Sequence, residues 1–363
     1  MTASEIAKQR LVNQQISTTT FKKPDEIVAW LGAMQAQEYT SSKWAIGLRL
    51  HNIHEADIDQ AFNDGAILRT HLLRPTWHFV TPADIRWMLA LTAPRIKAAN
   101  AFMNRKLELD NTVLKRSNDT LAKSLEGGKQ LTRTELKTKL EKKKIIADGL
   151  RLGYIMAQAE LDGIICSGPK QGKQFTHALL EERVPPVKHL NKDEALAELS
   201  KRYFSSRGPA TLKDFSTWSG LSSVDVKAGL SMVKSHFIQE KFNNEDYYFL
   251  PSVSINNEVQ NTYLLPIYDE YIMGYKNRSA ILDFNNKIKP PPKFLFDHTI
   301  IIAGQIVGTW RRTIHNKSID LEFNLFKPLS KTQHKKFEFA VDQFSSFMKL
   351  PVTKVEIKYL LVS

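Results

Sequence analysis

The pattern that most constrains this chain occurs three times: a capped amphipathic helix, a second helix, then two short runs of alternating apolar and polar residues around a turn. An architecture repeated this way, with hardly any repetition of sequence, predicts an α+β fold of three tandem winged-helix (helix-turn-helix) units. In the first unit, residues 4–15 and 24–34 read as helices, the second carrying Ile27, Trp30, Leu31 and Met34 at helical spacing behind Pro24. Ser41 and Ser42 open another helix, and residues 56–62 form a short one closed by Asn63, Asp64 and Gly65. Leu68, Thr70 and Leu72 then alternate with Arg69, His71 and Leu73. Arg74, Pro75 and Thr76 break the run, and Trp77, His78, Phe79 and Val80 resume it. These are two strands of a wing, with basic residues along one face. Thr81, Pro82 and Asp84 start a long helix towards Met103.

Residues 108–129 are polar and end on Gly127 and Gly128, which predicts a linker. The second unit opens on Thr132 and Glu135, a capping box before a basic helix that includes Lys142, Lys143 and Lys144. A helix over 150–161 follows, then strands near 164–166 and 175–176 flanking the turn Lys170, Gln171, Gly172, Lys173. After Pro185 and Pro186 and a helix over 193–204 comes the clearest helix-turn-helix. Thr211 caps a helix with Leu212, Phe215 and Trp218, Gly220 closes it, and Ser222 opens the next, which runs to about Lys234. Strands over 237–242 and 247–250 form its wing. This unit has few charges on its second helix and reads as scaffold, so the second unit is the better backbone contact. Beyond residue 252 the helical signal fades. Strands over 264–267, 294–296, 299–302, 305–312 and 319–326, the spacer Pro290–Pro292, a helix over 338–347 and a strand over 352–361 predict a β-rich, barrel-like or strongly curved region. The expected division is 1–107, 108–188, 189–253 and 254–363.

Lys and Arg number 51 against 38 Asp and Glu, a net charge of +13 that favours a polyanion, with nucleic acid ahead of membrane. Cys166 is the only cysteine, which excludes an intrachain disulfide and a cysteine zinc cluster, and the ten histidines show no metal-ligand spacing. No metal and no organic cofactor is expected. The first ten residues lack an apolar signal core and no apolar run reaches a membrane span, so the expectation is a cytoplasmic protein without a membrane partner.

Met34, Gln35, Ala36 and Gln37 lie where the second helix ends. On a helix, residues two apart face nearly opposite ways; in extended chain they face the same way. Two amides on one side can hold a small polar group, accepting and donating at once. The plain alternative is two surface glutamines at a frayed helix end.

Taken together, Met34-Gln35-Ala36-Gln37, Leu72-Leu73-Arg74-Pro75-Thr76-Trp77-His78-Phe79, Gly208-Pro209-Ala210-Thr211, Leu265-Pro266-Ile267-Tyr268-Asp269-Glu270-Tyr271 and Gly308-Thr309-Trp310-Arg311-Arg312 resemble the AlkZ-type winged-helix DNA glycosylases, in the same order and over nearly the whole chain. The resemblance implies three winged-helix units in a C-shape and excision of alkylated purines, including crosslinked ones. It also implies a catalytic Gln-x-Gln at Gln35 and Gln37; a related branch, the YcaQ type, carries Asp at the second position. Candidate contacts to double-stranded DNA are Arg69, His71, Arg74, His78, Lys142, Lys143, Lys144, Lys170, Lys173, Arg311 and Arg312. Trp77, Asp269 and Trp310 read as structural supports, and the protein as a monomer. The rival readings are a winged-helix transcription regulator and a crosslink-binding protein without catalysis.

Overall fold

The structure, a computed structural model, describes residues 1–251, 261–282 and 296–359. It is a mixed α+β protein. The N-terminal elements run α1 (Ala3–Asn13), α2 (Pro24–Leu31), β1 (Met34–Gln35), α3 (Tyr39–Gly47), α4 (Glu55–Asp64), β2 (Leu68–His71), β3 (Trp77–Val80) and the long α5 (Pro82–Lys106). Next come α6 (Asn111–Leu125), β4 (Leu131–Thr132), α7 (Arg133–Lys142), α8 (Gly149–Leu161), β5 (Ile165–Ser167), β6 (Thr176–Leu179) and α9 (Leu180–Arg183). The helices α10 (Lys192–Arg207), α11 (Leu212–Ser219) and α12 (Ser223–Val233) lead into the hairpin β7 (Ile238–Phe242) and β8 (Glu245–Phe249). The chain ends with β9 (Thr262–Leu265), α13 (Glu270–Met273), β10 (His298–Ile302), β11 (Gln305–Ile314), β12 (Ile319–Leu325), α14 (Lys331–Met348) and β13 (Val352–Tyr359).

Most helix starts follow from their caps. Thr132 and Glu135, and Thr211 and Asp214, form reciprocal capping boxes that satisfy the first free amides of α7 and α11, and Ser222 accepts from Asp225 at the start of α12.

Three expectations are corrected. The segment 108–129 is not a linker: Asp110 caps α6, whose Leu114, Ser117, Leu121 and Leu125 form a narrow buried stripe. Charged and polar residues on the remaining faces hide that stripe in a plain composition reading. The second helix stops at Leu31 and not at 34, because Gly32 adopts φ +73° and the chain leaves it extended as β1. Among the described residues the C-terminal strands do not close into a barrel. They form an open sheet in the order β13-β12-β11-β10-β9, antiparallel except for the parallel pair β12–β13. A parallel pair needs a crossover; α14 supplies it and covers one face of the sheet, with Phe337 against Phe323 and Phe344 against Trp310. The expected proline spacer and residues 294–295 of the expected strand lie outside the described residues.

The cores show which parts are built together. One cluster joins Ile27, Leu31, Trp44, Phe62 and Phe79 to Trp310, Phe323 and Phe344, so the first helices and the C-terminal sheet share an interior. A second joins Leu72, Trp87 and Met88 to Tyr203, Phe215 and Trp218. The α6–α8 bundle has its own cluster, built on Leu121, Leu136, Leu140 and Ile155.

Close to these cores lies a buried polar seam. The Arg49 guanidinium forms a two-pronged pair with Asp269, both contacts 2.8 Å, and Nη2 also reaches the Gln14 amide oxygen at 2.9 Å. Asp269 also accepts from the Tyr271 amide and so caps α13. Neither charged side chain is exposed. Removing one partner strands the other's charge away from water, which costs about 3–5 kcal/mol. Asp269→Ala is therefore expected to lower unfolding stability by about that amount, read from denaturant titration. A loss below about 1 kcal/mol would contradict this account.

Candidate active site

Because α2 stops at Leu31, its end carbonyls need partners, and Arg207 provides them. Nη1 donates to Leu31 O at 2.7 Å and Nη2 to Ala33 O at 3.0 Å. The same guanidinium pairs with Glu270, Nη2 to Oε2 at 2.6 Å, and the Trp218 indole N–H adds a bond to Oε2 at 2.9 Å. The other oxygen of Glu270 accepts the backbone N–H of Gln35 at 2.8 Å. A buried carboxylate thus fixes the strand that carries the first glutamine.

β1 pairs antiparallel with β3, Gln35 opposite His78 and Met34 opposite Phe79. The ladder continues one step beyond β1 in an unusual way. Ala36 N–H donates to Trp77 O at 2.8 Å, but Trp77 N–H donates to the side-chain oxygen of Gln37, at 3.4 Å. Gln37's amide stands where a strand carbonyl would be. The Gln35 side-chain oxygen accepts from Arg74 Nη2 at 3.3 Å. Both amides are thus oriented by donors to their oxygens, and each oxygen keeps a second lone pair beside the amide's two N–H donors. Gln35 is buried, 7% exposed, whereas Gln37 is open to solvent.

Arg69 holds the segment between them. Nε donates to Ala36 O at 2.9 Å and Nη2 to Gln37 O at 3.4 Å, while the guanidinium lies over the Trp77 ring, 4.3 Å from its centroid. Burial pushes its pKa down to about 10, which leaves it charged at neutral pH. Arg74 sits at φ +57° and packs against Gly220, so the tip of the β2–β3 hairpin meets the α11–α12 turn.

The remaining expected contacts divide by exposure. Lys142, Lys143, Lys144, Lys173 and Arg311 are exposed. Lys170 is tied to Asp59 at 3.3 Å. Arg312 is half-buried, donates to Ser41 Oγ at 3.0 Å and lies over Phe344. His71 is bound to Glu160, Nδ1 to Oε2 at 2.7 Å. His78 is corrected as a DNA contact: on β3, paired opposite Gln35, it is fully buried, where no phosphate reaches it. Trp310 is fully buried and donates to Leu265 O at 2.9 Å. Among the described residues no group of three His, Cys, Asp or Glu could hold a metal, and no helix is long and apolar enough to cross a membrane. Glu270 and Arg207 escaped the sequence reading, although both lie in or beside the quoted motifs.

The family described as "DNA glycosylase AlkZ-like" matches residues 28–347, and the chain belongs to that family. The "Interstrand DNA cross-link repair glycosylase" of Streptomyces sahachiroi is 25% identical over 335 residues, covering 83% of this chain and 85% of the relative. The solved structure of Streptomyces sahachiroi DNA glycosylase AlkZ has the same fold, with a TM-score of 0.80 at 18% identity, covering 99% of this chain and all of that one.

At the start of α3, four residues after Gln37, Ser41 Oγ contacts His298 Nε2 at 3.3 Å. Burial, with Arg312 and Arg311 nearby, pushes the His298 pKa down to about 4. In the unfolded chain this ring takes up its proton near pH 6.5. The neutral ring's contribution to stability is thus full above about pH 6.5 and is lost as pH falls towards about 4. The stability difference between wild type and His298→Gln should accordingly shrink across that window in denaturant titrations. A difference independent of pH would refute the assignment.

Proposed function

We propose that this enzyme hydrolyses the N-glycosidic bond of bulky or crosslinked N7-alkylpurines in duplex DNA, with a water positioned by Gln35 and Gln37. The observation that carries this reading is the oriented amide pair, one amide held by Arg74 and the other by the Trp77 backbone N–H. Alkylation at N7 makes the purine a cationic leaving group, so the bond electrons neutralise the departing base and no acid need protonate it. The sugar becomes oxocarbenium-like; water adds to it and loses a proton to solvent. Holding that water on the correct face is a positioning task, and amides suffice for it. The similarity to a relative named for interstrand cross-link repair supports the crosslink part of the reading. A purine tied to both strands cannot swing freely into a closed pocket, so an open surface must come to the lesion. Three winged-helix units in a C-shape, at 1–107, 108–188 and 189–253, would supply that surface, with the lysines at the end of α7 on the phosphates.

Gln35→Ala and Gln37→Ala should each reduce single-turnover excision of an N7-alkylguanine by about 10²–10³ with DNA affinity nearly unchanged. The double variant should lose less than the product of the singles, since both serve one water. Gln37→Asp should retain activity, because a carboxylate can deprotonate the water. Wild-type excision rates in both alanine variants would place the chemistry elsewhere.

Binding gives an independent test. Log affinity for duplex DNA should fall with log salt by about 0.9 per phosphate contacted. Replacing Lys142, Lys143 and Lys144 together by alanine should flatten that slope. An affinity indifferent to salt would be incompatible with a backbone contact.

A further inference from the structure

Gln37 is exposed and lies beyond the last residue of β1, so its side chain has the freedom of a strand end unless something restricts it. The restriction comes from Arg69 on β2. Nε donates to the Ala36 carbonyl at 2.9 Å and Nη2 to the Gln37 carbonyl at 3.4 Å. These are the peptide groups on either side of the Gln37 Cα. One rigid guanidinium bound to both limits the rotation of the backbone between them, and with it the direction in which the Gln37 side chain leaves the chain. The same guanidinium lies 4.3 Å from the centroid of the Trp77 ring, and Trp77 supplies the backbone N–H that meets the Gln37 side-chain oxygen. Arg69 thus touches both the backbone that carries the amide and the residue that orients it. Arg69 is held in turn: its own N–H donates to Ser167 Oγ on β5 at 2.8 Å, and the Phe175 ring lies 5.1 Å from the guanidinium.

Resting on the glycosylase reading above, we propose that Arg69 is a positioning residue for base excision, which aims the Gln37 amide at the attacking water, and that it is not a phosphate contact. The sequence places Arg69 among the basic residues of a wing, where a phosphate is the expected partner. In the structure its fork is bound to carbonyls and its face is turned to aromatic rings. A phosphate contact asks only for a positive charge, which lysine also supplies. Two carbonyls flanking one Cα ask for the planar fork, which a lysine ammonium on a flexible stem does not reproduce. A water held about 1 Å out of place lowers the rate by about 10², so loosening this hold is felt in the chemical step and not in binding.

The test is a cycle of variants. Arg69→Lys and Arg69→Met are made in the wild-type chain and in Gln37→Ala, and single-turnover excision of N7-methylguanine from a duplex is measured at saturating enzyme, with DNA affinity alongside. In the wild-type chain each Arg69 variant should lower the rate by about tenfold or more, with the affinity of Arg69→Lys unchanged. In Gln37→Ala neither should lower it further by more than about twofold, because no amide is left to aim. A phosphate contact gives the opposite split: weaker binding in Arg69→Met, rescue by Arg69→Lys and an unchanged rate at saturation. A purely structural role gives the same loss in both backgrounds. Either result overturns the assignment. Hydrogen exchange followed by mass spectrometry supplies a readout that does not depend on excision. The Ala36 N–H, bonded to Trp77 O, should exchange faster in Arg69→Lys, with α14 unchanged. Unchanged exchange at Ala36 overturns the positioning role whether or not the protein excises. Faster exchange in a protein whose wild type excises nothing removes the proposed function and leaves Arg69 as the residue that sets the course of the chain at Gln37.

Discussion

A carboxylate moved from water into a protein interior loses several kcal/mol of hydration unless every lone pair finds a donor. Glu270, 1% exposed, has donors on both oxygens: the Gln35 amide on Oε1, and the Arg207 guanidinium and the Trp218 indole on Oε2. The arrangement works in two directions. Arg207 is neutralised, which lets it enter the interior and take the carbonyls of Leu31 and Ala33 where α2 ends. With those carbonyls satisfied, the chain can leave the helix inside the protein and not at its surface, and β1 becomes possible. The extended course through Gln35, Ala36 and Gln37 is thus set by a charge some 235 residues away in sequence.

That distance explains what the sequence could and could not reveal. Caps are local, so Thr132, Thr211 and Ser222 mark their helices correctly. The alternation of β2 was also legible, with Leu68 and Thr70 buried and Arg69 and His71 partly open. The same rule fails on β3, because β3 is the middle strand of β1-β3-β2 and both its faces are covered; His78 is consequently interior. The helix α6 was missed because its apolar stripe is only about one residue in four. Asp269 was singled out and its neighbour Glu270 was not, since nothing in the local sequence says which acid will face Arg49 and which Arg207. The glutamines themselves were visible as a pair, but the donors that orient them, Arg74 and the Trp77 amide, come from another hairpin.

Most of the charge around the Gln pair is already committed to other partners. Arg69 and Arg74 are spent on orienting backbone and amide oxygens around Gln35 and Gln37. The nearby carboxylates are committed as well: Glu270 to the seam, Glu160 to His71 and Glu38 to the amide of Ser41. The amides remain the most adaptable groups at this position, able to give or accept without a change of protonation.

The separate core of the α6–α8 bundle has an evolutionary consequence. Its interior, built on Leu121, Leu136, Leu140 and Ile155, packs apart from the other two cores, whereas Leu161, Cys166 and Leu180 at its border belong to the second core and Glu160 holds His71 of the hairpin. The exposed lysine-rich end of α7 can therefore change in length and charge while that border with the hairpin stays fixed.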